Sequence, residues 1–251
     1  MKNKKVVLIT GASSGIGLAA CKLFVEKGWH VIGAARRKMK KNKFISRYHQ
    51  TDLEDPGSIH DLIKSVKQKE KRLDVLVNNA AHQVCKSLSQ TSLKEWRQVF
   101  AVNVDGPFLL VKGALPLLNK SKGAIVNVSS VHAFASSQNI SSYAASKGAL
   151  VSLTRNMAIE LGAKGIRANA VVPGAVCTPM LEEGLIRVNG SRKGLKKQID
   201  NIAKKQLLGQ VGRPEEIAKI IYFLSDNAQS SFMTGQAVVA DGGALAKLAT
   251  E

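Results

Sequence analysis

A short apolar run that breaks at once into three glycines constrains this chain more than any other feature. The run is Val6-Val7-Leu8-Ile9-Thr10, followed by Gly11-Ala12-Ser13-Ser14-Gly15-Ile16-Gly17. Unalternated β-branched residues read as a strand buried on both faces, as in a parallel sheet. A helical pattern begins at Ile16. Strand, glycine turn and helix in this order are what a dinucleotide phosphate site requires. Glycine permits the tight turn, and backbone amides at the helix start can face a pyrophosphate. The spacing is G-x-x-x-G-x-G and not G-x-G-x-x-G, so by itself the run also fits a structural turn.

The pattern of strand and helix repeats along the chain. Strands are expected at Lys5–Thr10, His30–Ala35, Ser46–Thr51, Leu73–Asn78, Ala124–Ser129, Arg167–Val172 and Ala237–Ala240. Helices are expected near Ile16–Lys27, Ser58–Lys69, Leu93–Leu118, Ser142–Leu161 and Pro214–Ser225. Such alternation implies a parallel sheet covered on both faces, with right-handed crossovers. About ten residues separate the second and third strands, short for a crossover helix, so a loop or single turn is expected there. No repeat or long linker divides the chain, which reads as one domain over 1–251. The irregular stretch 179–210 reads as a substrate lid or as a pair of short surface helices, and both can hold together.

A second constellation gives the chain its chemistry. Ser130 follows the apolar run Ala124–Val128, and Tyr143-Ala144-Ala145-Ser146-Lys147 lies thirteen residues on. Tyr143 and Lys147 are four apart and share one face of a helix. A neighbouring cation favours ionisation of a phenol, whose ordinary pKa is about 10. That turns a tyrosine into a usable acid or base.

With these residues in place the chain resembles the short-chain dehydrogenase/reductase family. Thr10-Gly11-x-x-x-Gly15-Ile16-Gly17, Asn78-Asn79-Ala80, Asn103, Ser130, Tyr143-x-x-x-Lys147 and Pro173-Gly174 fall in the family's order and spacing, from about Lys5 to Gly243. The resemblance implies a Rossmann-type, doubly wound α/β fold with a seven-stranded parallel sheet and helices on both faces. It implies an oxidoreductase that moves a hydride between a nicotinamide cofactor and an alcohol or ketone. Tyr143 would exchange the proton with substrate oxygen, Lys147 would lower its pKa and bind the nicotinamide ribose, and Ser130 would hydrogen-bond the reacting oxygen. Asn103 would hold a water in the proton relay. Gly11, Ser13, Gly15, Ile16 and Gly17 would take the pyrophosphate, Asp52 and Leu53 the adenine, and Asn79 and Ala80 the adenosine ribose. Pro173, Gly174, Val176 and Thr178 would border the nicotinamide. Ala81 replaces the last glycine of the family's Asn-Asn-Ala-Gly. Relatives that are dehydratases or epimerases carry larger C-terminal domains, for which this chain has no room.

Two questions remain open on sequence. Relatives that prefer NAD carry an acidic residue where Ala35 stands, and Arg36 offers a forked donor to a 2′-phosphate. NADP(H) is therefore the favoured cofactor, with NAD(H) the alternative. His132, Gln138 and Met180 are substrate-contact candidates, and the substrate ranges over a 3-oxoacyl thioester, a sugar-like polyol or a xenobiotic ketone.

Composition narrows partners only partly. Formal net charge is +19, with clusters at Lys38–Lys43 and Arg192–Lys197. Attraction to anions, including an acidic acyl carrier protein, and a merely solvated basic surface are both consistent with it. No nucleic-acid motif accompanies the charge, so nucleic acid is not the expected partner. A catalytically silent cofactor-binding regulator or nucleic-acid-associated protein is the alternative function. The three cysteines, Cys21, Cys85 and Cys177, have no metal spacing, and no metal is expected. An odd cysteine count, no apolar stretch read as long enough for a bilayer, and a five-residue apolar run too short for a signal peptide favour the cytoplasm. Apolar residues on several sides of 93–118 and 142–161 (Phe108, Leu109, Leu117, Leu150, Leu153 and Met157), with a second surface at 231–235 and 244–248, predict a homotetramer.

Overall fold

The protein is described by a computed structural model over residues 4–40 and 42–246. Lys41 of the first basic cluster, and the end of the tail beyond residue 246, lie outside the described residues.

The unalternated strands are central and buried. β1 (Val6–Thr10), β2 (His30–Ala35), β3 (Arg47–Gln50), β4 (Val75–Asn78), β5 (Ala124–Val128), β6 (Arg167–Pro173) and β7 (Ala237–Ala240) form one parallel sheet in the order β3-β2-β1-β4-β5-β6-β7. The pleat sends alternate residues to opposite faces. Val6 and Leu8 therefore join one core, and Val7 and Ile9 the other. The first core is closed by α2 (Pro56–Lys69), α4 (Gly106–Ser121) and α5 (Ser141–Gly162), through Leu62, Leu110, Leu118 and Leu161. The second is closed by α1 (Gly15–Glu26) and α8 (Pro214–Ser225), through Ala20, Phe24, Ile217, Ile221 and Leu224. Each fully buried leucine or phenylalanine contributes roughly 1.5–3 kcal/mol relative to exposure.

Strand order reverses direction at β1, whose neighbours are β2 and β4. Crossovers leave in opposite senses on either side of this point, and a crevice opens beyond the carboxyl ends of β1 and β4. Among the described residues, the short connection from β2 to β3 is a loop without a helix, as its length predicts.

Local chemistry explains where elements depart from the periodic pattern. α2 starts two residues before Ser58 because Asp55 caps it, accepting from Gly57 and Ser58 amides, and Pro56 occupies the first turn. The expected helix 93–118 is two helices, α3 (Leu93–Phe100) and α4, joined by a π-helical turn over Ala101–Asp105. Contrary to the sequence reading, the helical run Leu93–Ser121 contains a stretch long and apolar enough to cross a membrane. Leu110, Ala114 and Leu118 within it are core residues on the sheet.

The stretch 179–210 resolves into α6 (Pro179–Asn189) and α7 (Leu195–Lys204). Thr178 caps α6, with Pro179 in its first turn, and Gly190 ends it at φ +69°. Four-residue α9 (Asn227–Ser230) leads toward β7.

Candidate active site

The first wall is the glycine turn. Gly11 and Gly15 have φ of +67° and +52°, a region that side chains rarely adopt. A Cβ on Gly17 would lie 2.3 Å from the Gly11 carbonyl oxygen and 2.6 Å from Asn79 Nδ2, so no other residue fits there unless the backbone moves. Thr10, which the sequence reading quoted in the motif without giving it a role, fastens this turn to the end of β4. Its hydroxyl accepts from the amides of Asn79 and Ala80, each at 3.0 Å, while Asn79 Nδ2 donates to the Thr10 carbonyl at 2.9 Å. Across the crevice, a Cβ on Gly15 would approach Thr178 Cγ2 to 3.1 Å. Pro173 ends β6, and Gly174 just beyond it packs so closely on Asp241 that a Cβ would sit 2.7 Å from its Cα.

These residues fit a dinucleotide. The turn is a cradle that side chains would fill. α1 has neither a side-chain cap nor an acidic residue in its first turn, so its leading amides remain available to an anion. Ser13 and Ile16 sit partly exposed at the same turn.

The end of β2 is held by β3. Tyr48 Oη donates to the Ala35 carbonyl at 3.0 Å and, in a short contact, to that of Arg37, while Gln50 Nε2 donates to the Arg36 carbonyl at 3.1 Å. These bonds fix the backbone of Arg36 and leave its side chain exposed. Neither Tyr48 nor Gln50 stands out in sequence. Asp52 uses one carboxylate oxygen to accept the Glu54 amide at 3.0 Å, and Leu53 is buried. Val176 also departs from expectation. Its side chain lies in the core, so only its backbone borders the crevice.

The second wall is the Ser130–Tyr143–Lys147 cluster, brought together because β5 ends beside α5. All three residues are buried. The Ser130 hydroxyl hydrogen-bonds the Tyr143 phenol and accepts from the His132 amide at 3.2 Å. Lys147 Nζ donates to the Val128 carbonyl at 2.7 Å and lies 5.5 Å from the centroid of the Tyr143 ring. The His132 ring meets Tyr143 edge-on at 6.1 Å. Gln138 is exposed on the turn before α5, and Met180 lies in the first turn of α6.

Asn103 sits on the π-turn with no exposure. Its Nδ2 donates to the His82 carbonyl and to Ser146 Oγ, both at 2.9 Å, and its Oδ1 accepts from the His82 amide at 2.8 Å. Both amide hydrogens are therefore engaged by the protein, so a relay water could meet this side chain only as a donor. Ser146, another residue missed in sequence, passes the connection on by donating to the Tyr143 carbonyl at 2.7 Å.

The electrostatics correct one expectation. Burial pushes the Tyr143 phenol up to about 12, with the Ser130 hydrogen bond opposing. Burial also pulls Lys147 down to about 7. The lysine does not lower the phenol here, because its amine is itself desolvated and aimed at a carbonyl. Both groups are poised by dryness.

The comparisons agree with this geometry. Residues 11–244 match the family profile described as enoyl-(acyl carrier protein) reductase. The meso-2,3-butanediol dehydrogenase of Serratia marcescens is 36% identical, over 97% of this chain and 96% of its own. The ligand-free aldohexose dehydrogenase of Thermoplasma acidophilum superposes with a TM-score of 0.93 at 31% identity, covering 98% of this chain and 96% of the other. A 4-hydroxyisoleucine dehydrogenase complexed with NADH superposes at 0.81 and 32% identity, covering 98% and 100%. The chain belongs to the short-chain dehydrogenase/reductase family. It is an oxidoreductase that uses a nicotinamide cofactor and acts on alcohol and ketone groups, and the catalytically silent alternative finds no support.

The low pKa of Lys147 has a consequence for stability. Its folded pKa lies below the unfolded value, so the unfolded state binds more protons between about pH 7 and the ordinary lysine value of 10.5, and wild-type stability rises with pH across that window. Lys147→Met should stabilise the fold at pH 6, on the order of 2–4 kcal/mol after loss of the Val128 hydrogen bond. The gain should shrink toward pH 10. Chemical denaturation at both pH values checks this, and a pH-independent difference would contradict it.

Proposed function

We propose that the chain is a carbonyl reductase or alcohol dehydrogenase that favours NADP(H), acts through Tyr143, and serves small hydroxylated or keto substrates. The buried contact of Ser130 with Tyr143, beside Lys147, carries this reading. When bound, the nicotinamide supplies or accepts the hydride. In reduction, Ser130 orients the carbonyl oxygen, and Tyr143 Oη delivers the proton that completes the alcohol. In oxidation, the phenolate removes that proton. Lys147, Asn79 and Ala80 would hold the ribose hydroxyls, and the amides from Gly11 to Gly17 the pyrophosphate. Asn103 supports the arrangement by fixing His82 and Ser146 on either side of it.

Ala35 and Arg36 support NADP(H). No carboxylate stands at the end of β2 to repel a 2′-phosphate, and Arg36 is free to pair with one. His132 supports a hydroxylated substrate. Burial holds its imidazole below the ordinary histidine value against the opposing hydrogen bond to the Ala135 backbone, so near neutral pH the uncharged ring keeps one nitrogen for a hydroxyl beside the phenol. The similarity to butanediol and aldohexose dehydrogenases points the same way. α6 and α7 are read as the substrate lid of a single catalytic domain.

The assembly proposed is a homotetramer, though the sequence argument for it needs correction. Leu117, Leu150 and Met157 are buried within the chain. Among the apolar residues left outward are Phe108 on α4, Ile159 on α5 and Phe232, the last two 77% and 103% exposed. Two such patches support two isologous contacts. The site of action proposed is the cytoplasm, and the substrate screen should include acyl thioesters alongside diols and ketones.

Tyr143→Phe should lower kcat at least ~10²-fold with cofactor affinity nearly intact. Alcohol oxidation, which needs the phenolate, should accelerate with rising pH, while ketone reduction should not. Near-normal turnover in the phenylalanine variant would remove Tyr143 from this role. For the cofactor, wild type should prefer NADPH, and Ala35→Asp should weaken it by roughly 10–150-fold. Equal kcat/KM for both cofactors in wild type would defeat that preference. Light scattering should return four times the 26.9 kDa chain mass. An active monomer would leave the outward apolar residues without the proposed role.

A further inference from the structure

α6 does not simply pass near the crevice. A Cβ on Gly184 would lie 3.7 Å from Gln83 Oε1 and 3.9 Å from Cys85 Sγ, so the helix backbone rests against the segment that follows Asn79-Ala80. Three residues on, and therefore on the same helix face, Arg187 donates to the Gln83 carbonyl at 3.1 Å and hydrogen-bonds the Cys85 thiol. Glu183 pairs with Arg187 at 3.4 Å, but both side chains are half exposed, so this pair alone is weak. The segment beneath is immobilised independently. Asn103 holds both the amide and the carbonyl of His82, and Lys86 bridges in parallel to Ile140, the residue before α5. Whatever fastens α6 to residues 83–85 therefore fastens it in register with Tyr143.

We infer that Arg187 is the positioning residue that holds α6 closed over the crevice, through its fork on Gln83 and Cys85, with Gly184 permitting the close seat. Arg187 touches neither the phenol nor its serine partner. It acts through the lid, which raises the local order of the substrate cleft and slows exchange of its contents with solvent. A guanidinium suits this because it reaches two acceptors at once from a planar fork, which an ammonium does not. The inference rests on reading α6 as a lid, and a measurement on the protein itself separates its failure from failure of that reading's chemistry.

Hydrogen exchange followed by mass spectrometry on the full chain supplies it. Arg187→Ala should speed exchange ~5-fold or more in 179–189 and 82–86, with the sheet unchanged. With an active substrate, KM should rise ~5–10-fold while kcat moves less than ~3-fold. Arg187→Lys should fall between. Gly184→Ala adds a methyl at ordinary contact distance and a better helix former, and should change exchange and KM in the opposite direction. Unchanged exchange in Arg187→Ala overturns the inference, as does a KM rise without faster exchange, which would make Arg187 a substrate contact. Faster exchange in Gly184→Ala would also overturn it.

Discussion

Everything at this site depends on how closely β1 and β4 are joined where the strand order reverses. The sheet there must open a crevice, yet the two strand ends must stay in register. One hydroxyl resolves the conflict. Thr10 accepts the amides of the two residues that follow β4, and Asn79 returns a hydrogen bond to the Thr10 carbonyl. That exchange brings Asn79 so near the turn that Gly11 and Gly17 cannot carry side chains. The glycines are thus explained twice, by positive φ at Gly11 and Gly15 and by the absence of space at Gly17. A glycine turn with open helix-start amides, the arrangement proposed to take the pyrophosphate, is what remains when the strands are joined this tightly.

The groups proposed to carry the reaction obey a different constraint, which is dryness. Tyr143 and Lys147 are buried among strands and helices that exclude water, and each is displaced from its ordinary pKa toward its neutral form. A buried lysine without a carboxylate partner opposes folding below neutral pH, and the rest of the core must offset it. The two cores on either face of the sheet provide that margin. Such strain between stability and chemistry is expected where a fold carries a reactive site.

A polar thread ties the two halves together. The π-turn rotates Asn103 inward, where its amide reaches from His82 to Ser146, and Ser146 reaches the carbonyl of Tyr143. The same His82 segment continues to Gln83 and Cys85, on which α6 rests. Position of the phenol, of the crevice wall and of α6 are therefore linked through one short loop. An extra residue inserted into a helical turn often marks such a junction.

Sequence determined a great deal here because much of the fold is written in local patterns. Unbroken β-branched runs fixed the parallel sheet, and β2 and β7 begin and end where the pattern places them. Tyr143 and Lys147 share a helix by spacing alone. Tertiary structure decided what has no local signature. The π-turn at Asn103 is invisible in a helical periodicity that runs straight through it. Thr10, Tyr48 and Ser146 look like ordinary strand, edge and helix residues until their partners arrive from distant segments. The direction of the phenol's shift depended on desolvation, which spacing cannot report; a lysine four residues away suggested the opposite sign. Burial likewise sorted Leu117, Leu150 and Met157 from Ile159 and Phe108, because a helix pattern shows which residues are apolar and only packing shows which of them the chain itself covers.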